Sequence, residues 1–217
     1  MKNATAYEEL VDYRRSVAGI YARARDSELD AAVRWERFRE ERDRLFAEHP
    51  QSPLSEEEKD SFTGLDYYEY DPALRYALPV EYDVESGTIE IVLQEDGLIR
   101  LQRFGRVRLP VVGGEHSLSL FWVSGYGGGV FLPFRDATSG SETYGGGRYL
   151  LDTIKYADLG SEDGRLVLDF NYAYNPSCAY NPRWHCPLSP PENTLPVEIR
   201  AGERSYTGPG AAGTDNF

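Results

Sequence analysis

The residues best suited to chemistry are concentrated between Phe131 and Glu203. This stretch contains both cysteines, one of the three histidines and many Arg, Asp, Asn and Tyr side chains. Two carboxyl groups in unlike environments can divide the roles of general acid and general base. A hydrolase that activates a water molecule is therefore one hypothesis, and its candidate catalytic residues are Asp136, Glu142 and Asp169.

Many of the polar side chains in this stretch are also suited to binding a ligand. Arginine forms paired hydrogen bonds with carboxylates and phosphates, and the mouth of a β-structure often holds a polar pocket. A purely structural role stays open, because Asp and Thr also bond to nearby backbone and arginine pairs with carboxylates. The candidate ligand-binding residues are Arg135, Thr138, Tyr144, Arg148, Asn171, Tyr174, Asn175, Glu192 and Asn193.

We expect part of this set to meet in space. Asp169 and Asn171 are two residues apart in a predicted strand, so they share one face of it. Arg135 and Arg148 flank one loop and come close together if their two strands pair. The sequence therefore predicts a single cleft formed by Arg135, Asp136, Glu142, Arg148, Asp169 and Asn171.

Cys178 and Cys186 are eight residues apart, and three hypotheses compete for them. A structural pair, oxidised or reduced, would hold a proline-rich loop and is the favoured one. A zinc site would need further ligands, and the spacing matches no zinc motif, so no metal is predicted. A catalytic thiol would need a base such as His185 or His116.

Several motifs resemble an uncharacterised prokaryotic family, domain of unknown function 1684. The resemblance covers roughly residues 30 to 204. It implies that these motifs belong together, and it implies no reaction or cofactor. The motifs are Phe62-Thr-Gly-Leu-Asp-Tyr-Tyr, Phe134-Arg-Asp-Ala-Thr-Ser-Gly, Glu142-Thr-Tyr-Gly, Gly147-Arg-Tyr, Asp169-Phe-Asn-Tyr-Ala-Tyr-Asn-Pro, Cys186-Pro, Pro190-Pro-Glu-Asn and Ala201-Gly-Glu.

The charge balance restricts the kinds of partner. The formal net charge is −13, from 36 acidic and 23 basic residues, and only three of the bases are lysine. Such a chain is a poor partner for nucleic acid, and it contains no apolar run near the roughly 20 residues that span a bilayer. We expect a cytoplasmic protein. An acidic, lysine-poor surface also suits concentrated salt, where screening reduces self-repulsion.

The elements that must position these residues follow from the periodicity of the chain. Helices are predicted over residues 6–26, 30–47 and 55–61, and the charged residues 36–44 are predicted to face solvent. Alternating apolar residues and turn signals then predict strands over 76–84, 89–93, 98–104, 106–112, 117–124, 129–135, 148–154, 165–171 and 195–200.

The predicted fold is mainly β (α+β): an antiparallel β-barrel or closed sandwich of about eight strands with two or three N-terminal helices. The predicted organisation is a helical arm (1–61), a β domain with a proline-rich arm (62–207) and a flexible tail (208–217). The favoured function is binding of a small polar or anionic ligand. The alternatives are the hydrolase and a non-catalytic interaction protein that uses Trp35 and Phe38.

Salt should stabilise the protein strongly. Because the net charge is −13, the midpoint of thermal unfolding should rise between low and molar NaCl as self-repulsion is screened. Thermal melts at the two salt concentrations measure it. An unchanged or lower midpoint in molar salt would contradict adaptation to salt.

Overall fold

Three helices come first in the chain, and the rest is mainly β. The computed structural model describes residues 4–26, 28–93, 97–111 and 114–211. The helices are α1 (Ala4–Ala24), α2 (Ala31–Glu48) and α3 (Glu56–Ser61), which confirms the three predicted helices. Among the described residues, none of these helices combines the length and apolarity needed to cross a membrane.

Local hydrogen bonds explain where two of the helices begin. Asp30 accepts the N–H of Ala32 at 2.9 Å and caps α2. Ser55 and Glu58 form a reciprocal capping box, in which the Glu58 side chain accepts the Ser55 N–H at 2.8 Å. Each cap satisfies a backbone N–H group that the first turn of a helix otherwise leaves without a partner.

The larger sheet has five antiparallel strands in the order β2–β3–β4–β5–β6. Each strand pairs with the next one along the chain. The strands are β2 (Gly87–Leu93), β3 (Gly97–Leu109), β4 (His116–Ser124), β5 (Gly129–Phe134) and β6 (Arg148–Asp152).

The smaller sheet has three antiparallel strands in the order β1–β8–β7. Its strands are β1 (Arg75–Leu78), β7 (Ser161–Glu162) and β8 (Arg165–Asp169). Asp163 and Gly164 connect β7 to β8 with positive φ values of 48° and 73°. The two-residue strand β7 is too short to leave a periodic signal.

Gly105 does not separate two strands as predicted, because β3 runs through it as a single bulged strand. A Cβ atom at this position would lie 2.8 Å from Cγ1 of Val80. The missing side chain lets the segment after β1 approach, and Glu81 exchanges backbone hydrogen bonds with Arg106 at 2.9 and 3.0 Å. Gly105 is therefore a site of close backbone approach.

The predicted closure into a barrel is not confirmed, since the strands of the described residues form two sheets that do not close. The predicted strand 195–200 is also absent there, for a physical reason. Its middle bonds to side chains, since the Ile199 N–H donates to Asp136 at 2.6 Å and the Ile199 carbonyl accepts from Arg148 at 2.9 Å. These groups are no longer available to a neighbouring strand.

The helices and the larger sheet share one hydrophobic cluster. Trp35 and Phe38 of α2 are buried in it together with Leu101 of β3 and Phe121 of β4. The two aromatic residues therefore do not form the exposed stripe that the interaction hypothesis needs. A second cluster fills the space between the two sheets around Phe134 and Phe170.

Candidate functional site

A cavity of about 310 Å³ lies between α1, α2 and the segment 174–186. We call it the tyrosine cavity. Its size is at the lower end of the range for small-molecule sites, roughly 300 to 1,000 Å³. Six aromatic side chains line it: Tyr13, Tyr21, Phe46, Tyr174, Tyr180 and Trp184.

Two residues that line this cavity each have a buried polar atom without a hydrogen-bond partner among the described residues: Tyr174 Oη and Asn175 Oδ1. The backbone fixes both residues. Tyr174 exchanges hydrogen bonds with Tyr149 of β6 at 2.8 and 3.1 Å, and Asn175 Nδ2 donates to the Arg204 carbonyl at 2.7 Å. A buried polar atom without a partner costs free energy, so a ligand that supplies the missing bonds would be favoured.

The charged side chains that line the cavity are basic, and two of them have an acidic partner outside the lining. Arg14, Arg42 and Lys155 line it; Arg42 pairs with Glu203 at 3.0 Å, and Lys155 lies 3.9 Å from Asp152. The described lining includes no Asp or Glu. This is unusual for a chain with a net charge of −13. A cleft lined by positive groups concentrates anions.

A buried ion pair forms the floor of the cavity. Arg42 Nη2 lies 3.0 Å from Glu203 Oε2, and both side chains are almost entirely excluded from solvent. Arg42 Nε also donates to Tyr67 Oη at 2.8 Å, and Tyr180 donates its hydroxyl to Glu203. Burial raises the pKa of the Glu203 carboxyl, although Arg42 and the hydrogen bonds from Tyr180 and Asn175 act against this.

The prediction that the charged residues 36–44 all face solvent is wrong for Arg42, which is buried. Its guanidinium carbon lies over the rings of Phe46 and Tyr174, at 5.2 Å from each centroid. A charged residue on a charge-rich helix gives no sign of burial by itself. The residue that could have indicated a buried basic partner was Glu203. It ends the Ala201-Gly-Glu motif and had no assigned partner.

Arg148 and Asp136, two of the predicted site residues, form a buried structural network. Arg148 Nη2 lies 3.3 Å from Asp136 Oδ1, and Thr138 donates its hydroxyl to the same carboxylate at 2.9 Å. The two terminal nitrogens of Arg148 also donate to the carbonyls of Ile199, Ala201 and Glu203. Burial lowers the pKa of the guanidinium, whereas Asp136 raises it. The pair holds the C-terminal segment in place.

Other predicted residues also bond to the protein itself. Glu142 pairs with Arg200 at 2.7 Å and accepts the Tyr68 hydroxyl at 3.0 Å. Glu192 is exposed and pairs with Arg103 at 2.6 Å. The amide of Asn193, fully buried, bonds to the backbone of both β4 and β5. The backbone of Arg135 exchanges hydrogen bonds with residues 193 and 195.

Asp169 and Asn171 form a third group. Asp169 Oδ1 accepts the backbone N–H of Asn171 at 3.0 Å and its side-chain amide at 2.8 Å. Asn171 therefore lies in a 3-10 turn after β8 and does not continue the strand as predicted. Asp169 lines a cavity of only about 40 Å³, beside Arg34 and Arg75. The six residues expected in one cleft are thus divided among separate contacts.

Cys178 and Cys186 are both free thiols in contact with each other. The Cys178 N–H donates to Cys186 Sγ at 3.4 Å, and Tyr144 Oη lies 3.5 Å from Cys178 Sγ. Within the described ranges, no three His, Cys, Asp or Glu residues are grouped so that they could hold a metal ion.

A larger groove, about 690 Å³, runs along the outer side of α1 and α2. It is lined mostly by charged side chains that face solvent, including Glu8, Arg15 and Arg44. It is a shallow surface feature, and none of its described lining residues has an unpaired buried polar atom. The smaller tyrosine cavity is therefore the better candidate site.

The buried ion pair gives a stability prediction. Glu203→Gln leaves the Arg42 charge uncompensated and should lower the free energy of unfolding by about 3 to 5 kcal/mol. The matched control is Glu90→Gln, which breaks an exposed pair with Arg100 and should cost at most about 1 kcal/mol. Urea unfolding measures both. Equal losses in the two variants would show that the buried pair has no special role.

Asp169 gives a pH prediction. Burial raises its pKa from 3.8 to about 6, so the folded protein binds this proton more tightly than the unfolded chain does. The resulting stability is fully present below about pH 4 and is lost as the pH rises through about 6. Relative to Asp169→Asn, the wild type should lose on the order of 3 kcal/mol between pH 4 and 7.

Urea unfolding of the two proteins across this pH range tests the effect. Asp60→Asn, which removes an exposed carboxyl on α3, is the control and should keep the wild-type profile. Parallel pH profiles for wild type and Asp169→Asn would show that Asp169 does not bind its proton more tightly in the folded protein.

Comparison with known proteins agrees with this fold. The chain is similar to an uncharacterised protein of Haloarcula marismortui whose structure was determined by solution NMR. The two sequences are 34% identical, with a TM-score of 0.55, and the match covers 79% of this chain and 92% of the other. No curated protein matches the chain.

The model of one protein family matches residues 60–204, the same C-terminal region as the motifs in the sequence. This match covers more than half of the chain and confirms the resemblance. The chain belongs to the family described as protein of unknown function (DUF1684).

Proposed function

We propose that the protein binds a small organic anion in the tyrosine cavity. The observation that carries this proposal is the composition of the cavity wall. Six aromatic side chains line the cavity beside two residues that each have a buried polar atom without a partner among the described residues, and the charged side chains of the lining are basic. Of the ligand-binding residues predicted from the sequence, Tyr174 and Asn175 belong to the proposed site.

The ligand should combine an aromatic or apolar body with a carboxylate or similar group. Ring-lined walls favour a flat apolar body, through stacking and edge-to-face contacts. Lys155 is exposed at the rim, where its ammonium can attract the anionic group. Asn175 Oδ1 can only accept a hydrogen bond, so the ligand should also carry an N–H or O–H donor.

The geometry favours binding over the hydrolase alternative. Asp136 is sealed against Arg148, Asp169 is held by Asn171, and Glu142 is paired with Arg200. A general base needs access to a water molecule and a substrate. None of these three carboxylates lines the tyrosine cavity.

We also propose that the protein works in concentrated salt. The support is the acidic, lysine-poor composition and the similarity to a protein from a halophile, Haloarcula marismortui. The basic side chains of the cavity would then attract an anion only at short range, since the Debye length is about 3 Å in molar salt. Aromatic contacts would supply most of the affinity under those conditions.

Binding can be tested with 4-hydroxybenzoate, which has a ring, a carboxylate and a hydroxyl donor, against its neutral amide. Calorimetry and NMR in about 0.15 M salt should show one site for the carboxylate and weaker binding of the amide. Lys155→Met should weaken carboxylate binding about 5- to 10-fold, or about 1 kcal/mol. Lys59→Met, on α3, is the matched control and should change nothing.

Tyr174→Phe separates binding from stability. Its hydroxyl has no partner in the part of the chain that the structure describes, so the substitution should leave the free energy of unfolding unchanged or slightly higher, while carboxylate affinity falls. Tyr76→Phe, in the other hydrophobic cluster, is the control for both measurements. Absence of NMR shifts at the cavity residues with both probes would refute binding of this ligand class.

A further inference from the structure

The two cysteines lie at one wall of the tyrosine cavity with different surroundings. Cys186 lines the cavity, where His185 and Lys155 are also found. Cys178 lies behind it in a short 3-10 helix, with its sulfur next to Tyr144 Oη. An incoming molecule would therefore meet Cys186 first.

Several groups stabilise negative charge on Cys186. The Cys178 thiol and the backbone N–H groups of Ser177 and Cys178 donate to its sulfur, and the Lys155 ammonium adds a favourable charge. The hydrogen bond from Cys178 lowers the pKa of Cys186 to about 6, together with these groups and against the effect of burial. The same contact and burial raise the pKa of Cys178. Both shifts therefore favour negative charge on Cys186 over negative charge on Cys178.

We propose that Cys186 and Cys178 form a two-thiol redox site that reduces a hydroperoxide entering the tyrosine cavity, with Cys186 as the attacking and Cys178 as the resolving thiol. An accessible thiolate beside a second thiol is the arrangement that peroxides oxidise selectively. The inference goes beyond anion binding: it uses the same cavity and holds even when no anion binds there.

The reaction has two steps. The Cys186 thiolate attacks a peroxide oxygen, an S–O bond forms, the O–O bond breaks, and the departing alkoxide takes a proton from solvent. The Cys178 thiol then loses its proton and attacks the sulfenic sulfur. An S–S bond forms, the S–O bond breaks, and the departing hydroxide takes that proton to give water.

The net change converts two thiols and a hydroperoxide into a disulfide, an alcohol and water. An external dithiol restores the reduced pair by thiol–disulfide exchange. The contact between the two sulfurs favours the hydroperoxide over a simple alkylating electrophile. Alkylation would leave Cys178 without a role, whereas a sulfenic acid on Cys186 is formed next to the thiol that resolves it.

The test uses the full chain, reduced and then treated with cumene hydroperoxide, which is aromatic like the cavity walls, or with H₂O₂. Both free thiols should disappear together, and the intact mass should fall by two hydrogens. The reaction should be at least about 10-fold faster than that of free cysteine, because more thiolate is present at neutral pH. Cumene hydroperoxide should react faster than H₂O₂ if the cavity binds its ring.

Variants assign the two roles. Cys178→Ser should accumulate a sulfenic acid on Cys186 that dimedone traps, whereas Cys186→Ser should lose the rapid phase. Circular dichroism checks that both variants fold. If either does not, alkylation of wild-type Cys186 by iodoacetamide at different pH values replaces them, with an expected midpoint near pH 6.

Reaction of Cys186 at the rate of free cysteine, or dimedone labelling on Cys178 instead, would overturn the proposal. An alkylation midpoint near that of free cysteine would do the same. Failure of 4-hydroxybenzoate to bind would leave this result unaffected. Rapid oxidation and carboxylate binding therefore succeed or fail separately.

Discussion

The ion pair between Arg42 and Glu203 is the interaction on which the arrangement of helices, loops and cavity depends. It connects the middle of α2 to the C-terminal segment, 161 residues away. Taking two charges out of water is expensive, and only close pairing with further hydrogen bonds offsets that cost. Tyr67, Tyr180 and the Asn175 backbone supply these bonds, so the pair also fixes the parts of the chain that carry them.

This pairing accounts for the open space above it. Because Glu203 neutralises Arg42 from below, the guanidinium can lie against the rings of Phe46 and Tyr174 without a further charged partner from the cavity side. Rigid rings held by such contacts cannot easily collapse into the remaining volume. The cavity with its unpaired Tyr174 and Asn175 atoms is thus a consequence of how the charge beneath it is held.

The sequence predicts local structure well and long-range pairing poorly. The three helices are predicted correctly because their causes, apolar periodicity and local caps such as Asp30 and Ser55, lie within a few residues. The error at Gly105 has another cause, since Val80 rather than a turn requires that glycine. The predicted strand at 195–200 does not form because Asp136 and Arg148 take the backbone hydrogen bonds of Ile199 in its middle.

The candidate site shows the same limit. The predicted residues Tyr174 and Asn175 do line the cavity, but Arg42, Tyr13 and Tyr21 come from helices where nothing in the local pattern marks them. Asp136, Arg148 and Asp169 were predicted from their chemistry, and the structure uses that chemistry for internal contacts. A polar residue type indicates that a partner is needed, and only the fold shows whether the partner is the protein or a ligand.

Two buried arginines hold the same short segment from different elements. Arg148 of β6 donates to the carbonyls of residues 199, 201 and 203, and Arg42 of α2 pairs with the side chain of Glu203. Gly202 lies between them with φ of 77°, where a Cβ atom would be 2.6 Å from the Phe170 carbonyl oxygen. The Ala201-Gly-Glu motif thus has a structural explanation: it joins the sheet to the helices. Since that junction forms the floor of the tyrosine cavity, the motif supports the site without contributing a reactive group to it.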